Sequence, residues 1–396
     1  MHRIYLDANA TTPLLPEVFE AMRPYWMENY GNASSIHQQG QQARGAVEQA
    51  RGAVARFLHC LNSEIVFTSG GTESDNLALF GVLSNQPEPA HLITTTIEHH
   101  AVLHAAESLE KNNVQVTFLE CTPQGIIEPA ALQAAIRPNT KLVSIMFANN
   151  ETGVIQPIAE LAAIAHAAGA LFHTDAVQAS GKLPLDLSAD GPLKHVDLLT
   201  LSGHKIYAPK GIGVLFVRRN VRLAPMLHGG THERQRRAGT ENVAAIVGLG
   251  KALETANTWL TSSGPTELTA LRDHFEQTLL SQIEETGVNG GGAHRVSNTS
   301  NLYFDHLEAE ALVIALDLKG LSVSGGSACQ SGAAEPSHVL TAMGLSPARA
   351  RASFRFSLSR LTTAEEIDEA LKIIPTAVAR LRELSPTWSR RESIAV

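Results

Sequence analysis

The stretch that decides the fold is Leu198-Leu199-Thr200-Leu201-Ser202-Gly203-His204-Lys205, an apolar run that ends in a hydroxyl, a glycine, an imidazole and an amine. The run is typical of a buried strand, and its polar end indicates a turn that carries Lys205. A lysine at such a place can form a Schiff base with a bound electrophile when burial or nearby cations lower its pKa. A solvated lysine after a strand is the alternative, so Lys205 needs support from the rest of the chain.

Similar apolar runs alternate with helix-like stretches from about residue 60 to about residue 250. The predicted strands are residues 64–68, 91–95, 114–119, 142–147, 171–174, 196–201 and 213–217. Between two of them, residues 158–166 have apolar side chains at helical spacing and are followed by Gly169, a residue type common just after helix ends. This alternation predicts βαβ crossovers, and therefore an α/β domain with a mainly parallel seven-stranded sheet flanked by helices.

The pattern changes after about residue 260. A loop or linker is predicted at 262–266, helices at 267–285 and 308–318, and strands at 299–304 and 354–358. We therefore predict two domains: a large one over 14–260, and a smaller α+β domain formed by 1–13 and 261–396. The smaller domain would carry a mobile cysteine-containing loop at about 321–336.

Composition narrows the class of protein. The 396 residues are 44% hydrophobic and 18% charged, as in an ordinary folded chain, and the net charge of -8 argues against nucleic acid as a partner. The sequence has no apolar run long enough for an export signal or a membrane span. Its three cysteines lie in unlike contexts, which argues against a disulfide framework. We expect a cytoplasmic protein that binds neither nucleic acid nor membranes.

Residues 68–74, Thr-Ser-Gly-Gly-Thr-Glu-Ser, follow a predicted strand and precede a helix predicted from Asp75. Glycines let backbone N–H groups approach an anion, and the helix N-terminus adds its dipole. The segment lacks the lysine of a Walker loop and the GxGxxG spacing of a dinucleotide fold, which favours a small phosphate as ligand. A capped helix after a glycine turn is the structural alternative.

Asp175 ends the predicted strand at 171–174, and Gln178 follows a turn later. Doubly wound folds place ligand-contacting groups at this carboxyl edge of the sheet. A carboxylate there could keep a pyridinium nitrogen protonated, although a capping role would explain it equally well. The phosphate seat, the carboxylate and the strand-end lysine together describe the needs of pyridoxal 5′-phosphate (PLP).

The histidines allow a metal hypothesis. His100 and His104 have helical i, i+4 spacing, and so do His228 and His232. Each pair lacks a third ligand nearby in the sequence, so we predict no metal site. His99, directly after a strand, could instead lie flat on an aromatic cofactor ring and exchange protons with the substrate.

Two further residues stand out by their surroundings. Cys329 lies in a glycine- and serine-rich run, residues 324–332, in which no side chain could anchor a core, so its thiol could enter and leave a site. Cys60 and Cys121 have the surroundings of packing residues. Arg355 is a charge inside an apolar strand pattern and needs an anionic partner, either a substrate carboxylate or a structural salt bridge.

These motifs resemble the group I cysteine desulfurases, PLP enzymes related to the class V aminotransferases that supply sulfur for iron–sulfur clusters in nitrogen-fixation and housekeeping systems. The resemblance runs nearly end to end and implies PLP fold type I. It rests on residues 5–13, 31–37, 68–76, 98–99, 149–153, 175–178, 202–205, 237–240 and 327–329.

The resemblance also implies how the cofactor is held. Lys205 would bind its aldehyde carbon, Asp175 would pair with its pyridine nitrogen, and Gln178 would bond its phenolic oxygen. The ring would be stacked by His99. The phosphate would be held by Gly71, Thr72, Ser202 and His204, together with Thr240 from the other subunit of a homodimer.

For the reaction, the resemblance implies that Asn150 and Arg355 clamp the carboxylate of L-cysteine and that Lys205 removes its α-proton. Cys329 would then take the sulfur as a persulfide, release L-alanine, and pass the sulfur to an iron–sulfur scaffold or another acceptor protein. Two alternatives keep the cofactor: a selenocysteine lyase, or another fold-type I lyase or aminotransferase. A third is a non-enzymatic sulfur or metal carrier that uses Cys329 and the histidine pairs.

Overall fold

The computed structural model describes residues 3–84, 86, 89–325 and 336–389. Cys329 therefore lies outside the described residues, as does most of the predicted cysteine loop. Within the ranges that are described, no helix combines the length and the apolar character needed to cross a bilayer.

The described strands are mostly short and largely buried. They are β1 (Ile4–Tyr5), β2 (Ile65–Thr68), β3 (His91–Thr95), β4 (Gln115–Leu119), β5 (Thr140–Ser144), β6 (Leu171–Asp175), β7 (Leu198–Ser202), β8 (Gly213–Val217), β9 (Thr286–Val288), β10 (Thr299–Phe304), β11 (Leu321–Ser322), β12 (Ser324–Gly325) and β13 (Ser353–Ser357).

The helices are longest where they cover the sheets. They are α1 (Pro16–Met22), α2 (Pro24–Met27), α3 (Gln38–Leu58), α4 (Gly71–Leu83), α5 (His100–Glu110), α6 (Pro129–Ala135), α7 (Ile158–Ala167), α8 (Val243–Leu260), α9 (Gly264–Gln282), α10 (Ala309–Asp317), α11 (His338–Ala342), α12 (Pro347–Arg351) and α13 (Ala364–Glu383).

The central sheet has seven strands in the order β2-β8-β7-β6-β5-β3-β4. Strands β7, β6, β5, β3 and β4 pair in parallel, whereas β8 runs antiparallel to both of its neighbours. The predicted mainly parallel seven-stranded sheet is thus confirmed, each strand within three residues of its predicted bounds. The sequence did not predict the reversal of β8. It follows from the connection 203–212, which is too short for the helical crossover that a parallel neighbour needs.

Both faces of the central sheet are covered by helices, and β8 shows how the side chains divide between them. Phe216 packs in the cluster formed with α1, α3, α7 and α8. Leu215 and Val217 point to the opposite face and pack in the cluster formed with α4 and α5. Strand residues buried on both sides explain why the seven strands read as continuous apolar runs.

A second, antiparallel sheet with the order β12-β13-β10-β9 packs with α9, α10 and α13 around its own hydrophobic cluster. This cluster includes Ile4 and Leu6 from the beginning of the chain, where β1 pairs with β11. The predicted loop at 262–266 is wrong in extent, because α9 already begins at Gly264, favoured by Pro265 in its first turn. The division into two domains at these boundaries stays a prediction.

Candidate active site

A cavity of about 290 Å³ lies at the carboxyl edge of the central sheet. It brings together most of the side chains that the sequence analysis selected. These are Gly71, Thr72, His99, Asn150, Asp175, Gln178, Ser202, His204, Lys205 and Arg355. Thr240 is exposed and does not line this cavity. The cavity is also lined by six residues that the sequence did not single out: Asn9, Ala10, Asp75, Met146, Ala148 and Val177.

Lys205 reaches the cavity from a single 3₁₀ turn, Gly203–Lys205, that directly follows β7. The turn needs glycine at its first position, since a Cβ on Gly203 would come within 2.6 Å of the Ile212 side chain. The Lys205 amine donates to two backbone carbonyls, that of Asn9 at 2.7 Å and that of Ala10 at 2.6 Å. The end of β7 therefore holds the amine against the N-terminal segment, at the wall of the cavity.

The predicted anion seat coincides with the N-terminus of α4. The helix begins at Gly71, four residues before the predicted start, so its first free N–H groups lie at the cavity. A Cβ on Gly71 would come within 3.1 Å of the Val177 side chain, and one on Gly213 within 2.7 Å of the Gly70 backbone. Because these glycines have no side chain, the backbone packs closely here and the N–H groups at the start of α4 stay accessible to an anion.

An ion pair ties the segment that carries Thr240 to the first turn of α4. The Arg237 guanidinium donates to both carboxylate oxygens of Glu73, at 2.7 and 3.2 Å. Burial alone would raise the pKa of Glu73, but hydrogen bonds from Arg237 and Ser69 outweigh it and lower the pKa. The ionised pair therefore fixes residues 237–240 beside the anion seat, although Thr240 itself does not line this cavity.

Two buried carboxyl groups form one wall of the cavity. Asp175, at the end of β6, accepts a hydrogen bond from the Val177 N–H at 2.9 Å. Burial raises its pKa above the usual aspartate value, against the lowering effects of that bond and of Lys205. Asp75, on α4, has its pKa raised by burial and then by the negative charge of Asp175. A cation set against Asp175 would stabilise its ionised form.

His99 caps α5 and lines the cavity at the same time. Its Nδ1 accepts a hydrogen bond from the Ala101 N–H at 3.1 Å, so the neutral ring carries its proton on Nε2. Burial lowers the pKa of His99 to about 4, helped by the nearby positive charge of Lys205 and by three neighbouring histidines. The ring is thus neutral at pH 7, which suits stacking on an aromatic ligand.

The substrate-binding prediction rests on Arg355 and Asn150, and both the ligand and the salt-bridge hypotheses find support here. Arg355 forms an ion pair with Asp7 at 2.8 Å and donates to the Asn150 carbonyl at 3.0 Å. Its Nε and the Asn150 Oδ1 are nevertheless buried, and neither has a hydrogen-bond partner in the described part of the chain. Among the described residues, the cavity lining therefore includes a buried donor on Arg355 and buried acceptors on Asn150 and Asp75 that are left for a small polar ligand.

Three imidazoles lie close together beside His99. The His100 ring is 4.9 Å from that of His104 and 4.7 Å from that of His338. Even so, no group of three or more His, Cys, Asp or Glu in the described ranges is arranged to hold a metal ion.

Burial raises the pKa of Cys60 to about 12 and that of Cys121 to about 11, so neither thiol is a ready nucleophile at neutral pH.

Comparisons with known proteins agree with this geometry. A family model described as aminotransferase class-V matches residues 4–370. The chain belongs to the class-V aminotransferase family. Within it, "Cysteine desulfurase 2" of Trichormus variabilis is 51% identical over 386 residues, covering 98% of this chain and 96% of that protein.

Solved structures of family members superpose over almost the whole chain. A structure titled "NIFS-LIKE PROTEIN" is 34% identical, covers 96% of this chain and 100% of its own, and has a TM-score of 0.88. A structure titled "SspA in complex with cysteine" is 38% identical, covers 91% and 99%, and has a TM-score of 0.80. The predicted family resemblance and the predicted PLP fold are thus confirmed.

Enzymes of this family depend on PLP, which confirms the predicted cofactor. The donor set of the cavity fits that group. The buried Asp175 suits a pyridinium nitrogen, the bare N-terminus of α4 suits a phosphate, and the Lys205 amine suits an aldehyde carbon.

Proposed function

We propose that this protein is a cysteine desulfurase that uses PLP to convert L-cysteine to L-alanine and leaves the sulfur on Cys329 as a persulfide. One observation carries the proposal: a single cavity holds the Lys205 amine, the buried Asp175 carboxylate and the N-terminus of α4. The names of the relatives support the same activity.

Each end of the cofactor would meet side chains of matching chemistry. Asp175 would hold the pyridine nitrogen, Gln178 the phenolic oxygen, and the neutral His99 ring the face. The phosphate would be held by Gly71, Thr72, Ser202 and His204. When bound, PLP supplies an electron sink that stabilises negative charge at the substrate Cα.

The substrate carboxylate would be held by Arg355 and Asn150. The unpartnered Arg355 Nε is a donor for the carboxylate, while the bond to Asp7 keeps the guanidinium in place. This arrangement would set the α-proton within reach of Lys205. The Lys205 amine would accept that proton as general base.

The sulfur step would need a thiolate. Cys329 would attack the substrate sulfur, so that an S–S bond forms and the substrate C–S bond breaks. The electron pair of the broken bond stays on the carbon skeleton, which is protonated and released as alanine. Neither Cys60 nor Cys121 lines the cavity, and burial disfavours both of their thiolates, which supports Cys329 as the nucleophile.

The protein would act as a cytoplasmic homodimer with Thr240 reaching the neighbouring active site. The exposed position of Thr240, on a segment tied to α4 by Arg237, supports this role. An iron–sulfur scaffold or another acceptor protein would take the sulfur. We also propose the predicted division of the chain, in which 14–260 would bind the cofactor and 1–13 with 261–396 would carry Cys329.

The test measures alanine and sulfide release from L-cysteine by the wild type and by Cys329→Ala. We expect the variant to keep its cofactor absorption but lose persulfide and sulfide formation. Full sulfur transfer by the variant would remove Cys329 from the mechanism. Alanine release from selenocysteine that exceeds that from cysteine and does not depend on Cys329 would favour the lyase alternative.

Borohydride reduction tests the lysine separately. It fixes the bound cofactor to the amine that holds it, and peptide mapping should find the label on Lys205. A label on Lys182, whose amine contacts the cavity residue Gln178, would refute the assignment.

A further inference from the structure

Lys182 is a second lysine beside the active site that the proposed reaction does not use. It lies one turn after Gln178, and its amine donates to the Gln178 Oε1 at 2.7 Å. The same amine donates to the Asn9 Oδ1 at 3.0 Å. It therefore links two residues that line the cavity.

These contacts fix which way the Gln178 amide faces. Its Nε2 donates to the Asn9 backbone carbonyl at 3.0 Å, while its Oε1 accepts from Lys182. In the flipped amide, oxygen would face the Asn9 carbonyl oxygen and the NH₂ group would face the Lys182 amine, so both contacts would become repulsive. Only one of the two N–H bonds is used by Asn9, and the other is available to the cavity.

The partner of Lys182 is held just as firmly. The Asn9 Oδ1 also accepts from the Asn298 Nδ2 at 3.0 Å, and the Asn9 Nδ2 donates to the Thr299 hydroxyl at 2.9 Å. Burial strongly lowers the pKa of Lys182, and the neighbouring charge of Lys205 lowers it further. The ammonium can only donate, and if the amine is neutral the Asn9 carbonyl still favours the same orientation of the Gln178 amide.

We propose that Lys182 is a positioning residue that orients the Gln178 amide so that its N–H group faces the phenolic oxygen of the cofactor. The inference rests on the cofactor contact of Gln178 given in the proposed function. A donor at that oxygen stabilises its anionic form. Without Lys182, the Gln178 Oε1 loses its partner and only the Asn9 carbonyl still holds the amide, so its N–H group is fixed less firmly and the phenolic oxygen becomes more basic.

The experiment loads each variant with PLP and records the pH midpoint of its visible absorption change. One hydrogen bond corresponds to an upward shift of up to about one pH unit. We expect this shift in Lys182→Met and an equal one in Gln178→Ala. In the double variant no further shift should appear, because Lys182 acts through Gln178. Lys182→Gln, which retains an N–H donor, should shift the midpoint by less than half as much.

Additive shifts in the double variant would overturn the proposal, since they would mean that the Lys182 charge acts directly on the cofactor. A wild-type midpoint in Lys182→Met would overturn it as well. If Lys182→Met does not fold, Lys182→Leu serves the same cycle, because its apolar side chain also lacks a donor for the Gln178 Oε1. Absence of visible absorption in the wild type would contradict the proposed function and not this inference.

Discussion

Removing one partner of the buried ion pair between Arg51 and Glu233 should cost far more stability than removing one partner of an exposed pair. The guanidinium donates to both carboxylate oxygens at 2.8 Å, and the side chains are only 5% and 3% exposed. Glu233 also accepts from the Phe67 N–H at 3.0 Å. Removing one partner of a buried pair costs about 3–5 kcal/mol. Since Glu48 remains beside Arg51 at 3.1 Å, we expect Glu233→Ala to cost about 3 kcal/mol.

Chemical unfolding in urea provides the measurement, with Glu254→Ala as the matched control. Glu254 pairs with Arg56 at 3.5 Å, with side chains 50% and 70% exposed, so its loss should cost less than about 1 kcal/mol. Equal losses of unfolding free energy in the two variants would refute the argument from burial. Replacing Arg51 and Glu233 together by Met and Leu should cost less than Glu233→Ala alone, since no charge is left buried.

Three further predictions concern the site and its pH dependence. Lys205→Ala should lower the rate of alanine formation by about 10²–10⁴-fold, and a smaller loss in steady-state assays would contradict its role as general base. Asp7→Asn should raise KM for cysteine more than it lowers kcat, because Arg355 loses the charge that holds it; an unchanged KM would exclude that role. Burial raises the pKa of Glu98 to about 8, so the folded state keeps a proton that the unfolded state loses at lower pH. The stability that Glu98 contributes should thus fall as pH rises from about 4.5 to 8, and pH-dependent urea unfolding of Glu98→Gln should lack this fall. If the unfolding free energy of Glu98→Gln falls with pH as much as that of the wild type, another group causes the fall.

The elements that the sequence predicted well are those whose signal is local. Each strand of the central sheet is a short apolar run, and Asp175 and Lys205 stand at the ends of two such runs, so their meeting at one edge follows from the parallel arrangement. The reversal of β8 depends on a short connection, and the start of α4 at Gly71 on close backbone packing with Gly213. Neither leaves a periodic pattern in the sequence.

The part of the site that sequence reasoning missed is held together across long distances in the chain. Asn9 contacts Lys205 and Lys182, from which it is separated by 196 and 173 positions. Asp7 contacts Arg355 across 348 positions. In the sequence these are ordinary polar residues near an N-terminus, and only the folded chain gives them their partners. The sequence indicated that Arg355 needs an anionic partner, but no pattern indicated that Asp7 is that partner.

The position of Asn9 has a consequence for the order in which the site forms during synthesis. Asp7 and Asn9 are translated long before residues 355–357, yet the Asn9 N–H bonds to the Ser357 hydroxyl and the Asp7 carboxylate to Arg355. The carbonyl groups that hold the Lys205 amine are therefore expected to take their final positions only after residues 355–357 have been translated. If the central sheet folds earlier, its cavity lacks this wall until then, so we expect cofactor binding to follow the synthesis of residue 357.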